Sequence, residues 1–255
     1  WAWLFKLPVA ERAEQLALPD VRAQLEAGAK KPSFLSRVAD WPTMNIVETF
    51  SEETRPYQGR TVGNVAQERG TSAFDTMIDI ALMDGLKTSF MPASMGNDLE
   101  TNELRARICK DDRTVVGASD AGAHLDMIDS FAYSTKLLEN ACRKYEVLTF
   151  EEAIHQLTEV PANLMGLKRR GTLATENFAD IVILDPNEVA CGKLHTRFDL
   201  PGVEDEGRLY MDAIGIDHVF VNGEMIIEDG THTGRLPGKI LRSGKDTYTV
   251  SSMAK

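Results

Sequence analysis

The sequence predicts an α/β fold followed by a β-rich C-terminal region. From residue 86 onward the apolar pattern repeats strand, loop and helix. The run at residues 114–118 is apolar without polar alternation, as a strand is when both of its faces are covered in a parallel sheet or barrel. After Gly171 the chain changes to short strands joined by turns. We therefore expect a domain boundary between Leu167 and Gly171.

Proline, glycine and capping residues mark the ends of the predicted helices. Helical apolar spacing occurs over residues 9–29 with a break at Pro19-Asp20, and over residues 60–69, 73–83, 98–110 and 130–145. Thr149 and Glu152 form a capping-box sequence, in which each side chain binds the backbone N–H of the other residue. A further short helix is expected between Pro161 and Gly166.

Runs of β-branched and apolar residues predict the strands. They occupy residues 44–50, 86–93, 114–118, 179–184, 217–221, 224–228 and 239–241. Asn222-Gly223 is a strong hairpin signal, because both residues tolerate positive φ. In a parallel sheet or barrel, catalytic residues follow the carboxyl ends of the strands, so the polar sequence after residue 118 is a candidate site.

The charge balance excludes a typical nucleic-acid-binding protein. The 255 residues include 28 Lys and Arg against 39 Asp and Glu, a formal net charge of −11, and no basic run offers a phosphate-binding face.

No stretch approaches the roughly 18 apolar residues that cross a bilayer, so we expect a cytoplasmic protein without membrane contact. Cys109, Cys142 and Cys191 are expected to be free thiols.

Asp120 is the leading candidate for chemistry. It follows a predicted buried strand and precedes a glycine, and a carboxylate in that place is able to bind a metal or transfer a proton. The alternative is that Asp120 caps the following turn. His124 lies four residues further on, but Gly122 disfavours a regular helix between them, so a structural loop histidine is its alternative. We interpret the remaining histidines as structural: His155, His195, His218 and His232.

Six short motifs, in this order, resemble the C-terminal half of metal-dependent amidohydrolases. They are VGASDAGAH at 116–124, LTFEEAI at 148–154, RGTL at 170–173, ADIVILDP at 179–186, VFVNG at 219–223 and PGKILR at 237–242. Each motif is weak alone, but their order and spacing together are specific, and the resemblance runs over most of the chain, including residues 18–22. The branch that they resemble is the D-aminoacylases, or N-acyl-D-amino-acid deacylases.

The resemblance implies part of a TIM-type (β/α)8 barrel and part of a small β-sandwich. Residues 1–168 would hold the end of the barrel with an inserted segment, including strand 8 at 114–118, and residues 169–255 the sandwich. Asp120 would be the strand-8 aspartate, which in the family works at the metal as the acid/base of amide hydrolysis. Asp120 is also a candidate metal ligand, with His124 supporting it. The implied substrate is a small N-acyl amino acid or a related amide.

The sequence departs from the family pattern in two places. Asn177 stands near the position where the family commonly has glycine, and we expect Asn177 to keep the left-handed turn. No histidine precedes His124, so the family's His-x-His pair and its other histidine ligands are absent. A complete barrel also needs about 250 residues by itself. With Trp1 in place of an initiating Met, we expect the C-terminal portion of a longer parent.

The missing histidine ligands determine what we expect of metal binding and of activity. We expect zinc or another divalent metal ion in the parent, and no tightly bound metal and no activity in this chain alone. One alternative is a non-catalytic domain that reuses the fold, and another is a hydantoinase- or dihydropyrimidinase-like cyclic amidase. Arg55 and Tyr57 are candidates for binding a substrate carboxylate, with solvated loop residues as the alternative. The oligomeric state stays open.

Overall fold

A computed structural model describes residues 1–32, 38–93, 96–117, 119, 125–203 and 206–250. The chain divides into two units, Trp1–Met95 and Gly96–Lys255, and both contain helices and strands. The predicted α/β class is thus confirmed in its general form. The barrel, the sandwich and the boundary after residue 168 stay predictions. No helix among the described residues is long and apolar enough to span a membrane.

The first unit is mainly helical. Its α-helices are α1 (Val9–Ala17), α2 (Pro19–Ala29), α3 (Val62–Arg69) and α4 (Ala73–Met83). The predicted break at Pro19 is confirmed, since Pro19 is the first residue of α2, where its missing N–H costs no helical hydrogen bond. The predicted end of α3 at Gly70 is also confirmed, because Gly70 has φ +66° and caps the helix.

Two short strands complete the first unit. β1 (Asn45–Glu48) and β2 (Ser89–Met91) pair antiparallel, with Ile46 opposite Phe90. Ile46 is fully buried and belongs to the apolar core of the unit. The other buried members of that core are Leu4, Leu16, Leu25, Met44, Val62, Val65, Phe74, Met77, Ile78 and Ile80.

Aromatic rings close one side of this core. The ring centroids of Trp1 and Trp41 lie 6.0 and 5.4 Å from that of Phe74. The indole N–H of Trp1 donates to the carbonyl oxygen of Leu25 at 2.9 Å. The first residue of the chain is therefore anchored to α2 by a hydrogen bond and to α4 by ring packing.

The second unit starts with helices. They are α5 (Leu99–Cys109), α6 (Tyr133–Leu137), a π-helical segment (Leu138–Lys144), α7 (Phe150–Leu157) and α8 (Glu159–Leu164). The helix predicted at 130–145 is therefore irregular, since a 3-10 turn (Ser130–Ala132) precedes α6 and the π-helical segment follows it. The capping box is confirmed, because the N–H of Glu152 donates to Thr149 Oγ1 at 3.1 Å and the N–H of Thr149 to Glu152 Oε2 at 2.9 Å.

Short strands fill the rest of the second unit. They are β3 (Ile181–Leu184), β4 (Ala190–Cys191), β5 (His195–Arg197), β6 (Arg208–Tyr210), β7 (Ala213–Ile214), β8 (Ile216–Val221), β9 (Glu224–Glu228) and β10 (Thr231–His232). One sheet has the order β10-β9-β8-β3, and β4 pairs with β7 and β5 with β6. The hairpin between β8 and β9 is confirmed, since Asn222 and Gly223 have φ of +50° and +84°.

The structure corrects the predicted strand at 114–118. Residues 114–117 form no strand, and Ala118 lies outside the described residues. The prediction of a parallel sheet finds no support either, because every strand pair in the described ranges is antiparallel. An apolar run becomes a strand only where a neighbouring strand pairs with its backbone, and Val115 is instead 43% exposed.

Two further local predictions are wrong. Residues 239–241 lie outside any strand, and the side chain of Ile240 is exposed, so no second layer covers this apolar run. The left-handed residue of the turn before β3 is Glu176, with φ +69°, and not Asn177. The side-chain amide of Asn177 donates instead to the carbonyl and hydroxyl oxygens of Thr172, both at 3.0 Å, and closes the turn.

Gly215, between β7 and β8, is expected to be sensitive to substitution. It has φ +68°, and a Cβ atom there would lie 2.7 Å from the backbone nitrogen of the fully buried Val189. We expect Gly215→Ala to lower the free energy of unfolding by about 3 kcal/mol, since it combines left-handed strain with a steric clash. Urea denaturation measures this loss.

Gly202→Ala is the matched control. Gly202 has a similar φ of +78°, but a Cβ atom there would meet nothing within 4 Å. We expect a loss of only about 1 kcal/mol, from backbone strain alone. Equal losses in the two variants would contradict the clash at Val189.

Candidate functional site

The two predicted site residues, Asp120 and His124, lie outside the described residues. The described residues that border them are Ser119 and Leu125. The hydroxyl of Ser130 donates to the carbonyl oxygen of Ser119, and the N–H of Leu209 donates to the carbonyl oxygen of Leu125 at 2.8 Å. The borders of the predicted site are therefore tied to the 3-10 turn before α6 and to β6.

A polar cluster joins α6 and the π-helical segment to β4. Glu139 Oε2 accepts the backbone N–H of Cys191 at 3.1 Å, and Thr135 Oγ1 lies 3.0 Å from Cys191 Sγ. The ammonium group of Lys136 pairs with Asp129 Oδ2 at 2.6 Å. Burial raises the pKa of the Cys191 thiol, so the thiol stays protonated near neutral pH and is a poor nucleophile. The contacts of Glu139 and Thr135 hold β4 against α6 and the π-helical segment.

The three cysteines are poor candidates for metal binding. Cys109, Cys142 and Cys191 form no disulfide in the structure, and burial raises the pKa of all three thiols. A thiol binds metal as the thiolate, which a raised pKa disfavours. Within the described ranges, no group of three or more His, Cys, Asp or Glu side chains is placed to hold a metal ion. The described part of the chain therefore does not form the metal site that the resemblance implies.

Three of the other histidines make local contacts of a structural kind. His155 Nδ1 lies 3.0 Å from Glu159 Oε2, one helical turn away. The ring of His195 packs edge-on against Tyr210, with 5.7 Å between the centroids. His232 Nδ1 accepts the N–H of Gly234 at 2.9 Å. Each contact joins nearby residues or paired strands, which fits the structural interpretation of these three histidines.

Asp84, at the end of α4, is a buried carboxylate that the sequence reasoning missed. Its carboxylate accepts the N–H groups of Phe50 and Ser51 at 2.8 and 2.6 Å and the hydroxyls of Thr54 and Thr88 at 3.0 and 2.7 Å. Desolvation alone would raise the pKa of this carboxyl, but the hydrogen bonds outweigh it and hold the pKa below its usual range. Asp84 thus acts as a structural anchor.

The Asp84 anchor positions the turn that carries Arg55 and Tyr57. Thr54, a fully buried partner of Asp84, directly precedes the 3-10 helix Arg55–Tyr57. The side chain of Tyr57 packs against the apolar core of the first unit, whereas Arg55 is exposed. Binding of a substrate carboxylate by these two residues stays a prediction.

Comparison with known proteins gives the family. The model of the amidohydrolase family matches residues 22–227, which is most of the chain. The chain belongs to the amidohydrolase family. The match includes residues 116–124, the motif that carries Asp120 and His124.

Two bacterial relatives share the family with this amidohydrolase chain. The N-acyl-D-glutamate deacylase of Alcaligenes xylosoxydans xylosoxydans is 34% identical over 56% of this chain and 27% of its own length. The D-aminoacylase of the same organism is 28% identical over 72% of this chain and 34% of its own length. The matched part of the chain thus spans about a quarter to a third of these relatives.

Two solved structures are also similar to part of the chain. The N-acyl-D-glutamate deacylase from Bordetella bronchiseptica, in complex with zinc and a phosphonate inhibitor, is 24% identical over 75% of this chain and 36% of its own, with a TM-score of 0.42. A D-aminoacylase crystal structure has the same coverage, identity and TM-score. The zinc and the inhibitor are those of the Bordetella protein.

Proposed function

We propose that this chain is part of an enzyme that hydrolyses the amide bond of N-acyl-D-amino acids. The observation that carries the proposal is the family match over residues 22–227, which contains the Asp120 motif. The identity to an N-acyl-D-glutamate deacylase and to a D-aminoacylase supports this class of substrate. Because the matches cover only 27% and 34% of those relatives, the proposal concerns a whole protein that includes this chain.

Asp120 is proposed as the acid/base of the reaction. Its carboxylate would take a proton from water as the oxygen attacks the amide carbonyl carbon. It would then return that proton to the leaving nitrogen as the C–N bond breaks, which releases a carboxylic acid and a free amino acid. His124 is proposed to orient Asp120 through a hydrogen bond, since an orienting partner fixes the direction of proton transfer.

Most ligands of the family's metal are proposed to lie outside residues 1–255, with Asp120 as the candidate ligand from this chain. No histidine precedes His124, and the described residues contain no cluster suited to a metal ion. A divalent ion such as zinc supplies Lewis acidity when it is bound in such enzymes. The residues assigned a step in this chain are only Asp120 and His124.

A comparison of residues 1–255 with a whole protein that contains them tests the proposal directly. We expect purified 1–255 to release no detectable amino acid from N-acetyl-D-glutamate or from an apolar N-acetyl-D-amino acid, because the proposed metal ligands are missing. A whole protein that contains this chain should hydrolyse at least one of them, with the L enantiomers as controls. Measurement of the free amino acid over time decides both points. If residues 1–255 alone hydrolyse a substrate and a chelator abolishes that activity, the proposal that metal ligands lie outside this chain is overturned.

An assay of ring opening, run beside the deacylase assay, separates the alternatives. Opening of hydantoin or dihydrouracil by the whole protein, without deacylase activity, would favour a cyclic amidase. A whole protein inactive on every amide would favour a non-catalytic domain. The observation that favours a non-catalytic domain is that no histidine precedes His124.

A further inference from the structure

A cationic cleft of about 320 Å³ lies in the second unit. It is formed by the segment that leads into β3 and by the C-terminal segment of the chain. Six cationic side chains line it: Lys168, Arg169, Arg170, Lys239, Arg242 and Lys245. The acidic residue in the lining is Asp246. This concentration of positive charge occurs in a chain of net charge −11, so the overall composition does not account for it.

Part of the cleft is held rigid by contacts within the unit. The guanidinium groups of Arg169 and Arg170 lie 4.5 and 4.2 Å from the ring centroid of Phe178. Arg170 also pairs with Asp180 and donates to Asn222 Oδ1 at 2.7 Å, and its side chain is 12% exposed. The aromatic ring and the hairpin turn therefore fix two of the cations in place.

Backbone contacts hold the opposite side of the cleft. The ammonium group of Lys168 donates to the carbonyl oxygen of Lys245 at 2.9 Å. The backbone N–H of Arg242 donates to Asp246 Oδ2 at 2.8 Å. Both bonds use backbone atoms of the C-terminal segment, so neither involves the charged group of Arg242 or Lys245. The two walls of the cleft are thus joined before any ligand binds.

Three of the remaining cations form no ion pair within the described part of the chain, although Asp246 lies in the same cleft. No carboxylate in the described ranges forms an ion pair with the side chain of Lys239, Arg242 or Lys245. Like charges in one concave site repel one another and raise the local potential, so an anion there is attracted strongly. Arg and Lys together are the side chains that proteins use for phosphoryl groups, Arg by paired donors and Lys by point charge.

We propose that this cleft binds a small, multiply charged oxyanion of the phosphoryl class. The volume lies at the lower end of ligand sites in proteins, which favours a small ligand over a nucleotide. Lys239, Arg242 and Lys245 would neutralise the anion, and Arg169 and Arg170 would form the fixed wall. Ile240 and Leu241, which also line the cleft, would contact an organic part where the ligand has one.

Isothermal titration of the 255-residue chain with pyrophosphate at low salt tests the proposal. We expect one ion per chain, and binding at least about tenfold weaker in the double variant Lys239→Gln/Arg242→Gln, because two charge-assisted contacts are lost. The variant Arg242→Lys keeps the charge and should lose less affinity for pyrophosphate than the double variant. Titration with methyl phosphate and butyl phosphate, which carry the same charge, shows whether an organic part is bound, because butyl phosphate should bind more tightly if Ile240 and Leu241 contribute.

The control removes the same charge elsewhere. Lys193 and Arg235 are exposed cations of the second unit that do not line this cleft. The double variant Lys193→Gln/Arg235→Gln should bind pyrophosphate within about twofold of the unsubstituted chain, since only long-range attraction changes. No binding to the unsubstituted chain, or equal losses in the two double variants, would overturn the proposal. Circular dichroism verifies that the variants are folded.

Discussion

Asp120→Asn is expected to lower kcat/KM for N-acetyl-D-amino acids by about 100-fold or more in a whole protein that contains this chain. An acid/base group contributes about 10² to 10⁴ in rate, and the amide of asparagine can neither take up nor return the proton. The loss should appear mainly in kcat, because the proton moves in the chemical step and not on binding. Steady-state measurement of amino acid release gives both constants.

Asp112→Asn is the matched control for Asp120. Asp112 is an exposed aspartate eight residues earlier, so the same change of charge and shape occurs without a proposed role in the reaction. Activity within about twofold of the unsubstituted enzyme is expected. Asp120→Asn enzyme that is folded and retains more than a third of the activity would remove Asp120 from the acid/base role, even if the deacylase activity itself is confirmed.

The elements that the sequence predicted well depend on neighbouring residues. The capping box at Thr149 needs only Glu152, and the Asn222-Gly223 turn needs only its own backbone angles, so a local motif is enough for each. The break at Pro19 is local in the same way. Such signals act within one turn of the chain, where the order of residues already determines which groups meet.

The elements that the sequence mispredicted depend on distant partners. The run at 114–118 has the composition of a covered strand, but pairing and cover are supplied by other segments, and Val115 is 43% exposed. The Asp84 anchor was missed for the same reason, since Phe50 and Ser51 lie more than 30 residues before it. The hydrogen bond from the N–H of Asn222 to Asp180 was missed in the same way, since it joins residues 42 apart.

The candidate site residues were predicted from motifs and not from local structural signals. Asp120 and His124 came from the order of motifs along the chain, and the family match over residues 22–227 includes five of the six motifs. The cationic cleft could not be found from sequence, since its lysines and arginines come from two segments about 70 residues apart.

Asp84→Ala is expected to destabilise the first unit by about 3 kcal/mol or more. Asp84 is 4% exposed, and removal of its carboxylate leaves the N–H groups of Phe50 and Ser51 and the hydroxyl of Thr88 without this acceptor, while the Thr54 hydroxyl keeps the Ser51 carbonyl oxygen. Each buried donor left unpaired costs about 1 to 3 kcal/mol. Urea denaturation, with fluorescence of the tryptophans near Phe74, should show a lower midpoint for this variant.

Asp40→Ala is the control in the same unit. Asp40 is exposed and its side chain makes no capping hydrogen bond to the helical turn that follows it. We expect its unfolding free energy to stay within about 0.5 kcal/mol of the unsubstituted chain. A loss for Asp84→Ala no larger than this would mean that water replaces the carboxylate as acceptor, and Asp84 would not be an anchor.

The pH dependence of Asp84 gives a second, independent measurement. Hydrogen bonds to the ionised form hold the pKa of the folded-state carboxyl below its ordinary 3.8, so the folded protein binds fewer protons here than the unfolded chain. The stabilisation is therefore fully present above that ordinary value and is lost as the pH falls through the folded-state pKa. Asp84→Asn cannot titrate, so its stability deficit should shrink as the pH is lowered from 6 to 3. A deficit that stays constant over this range would show that the charge of Asp84 does not stabilise the turn.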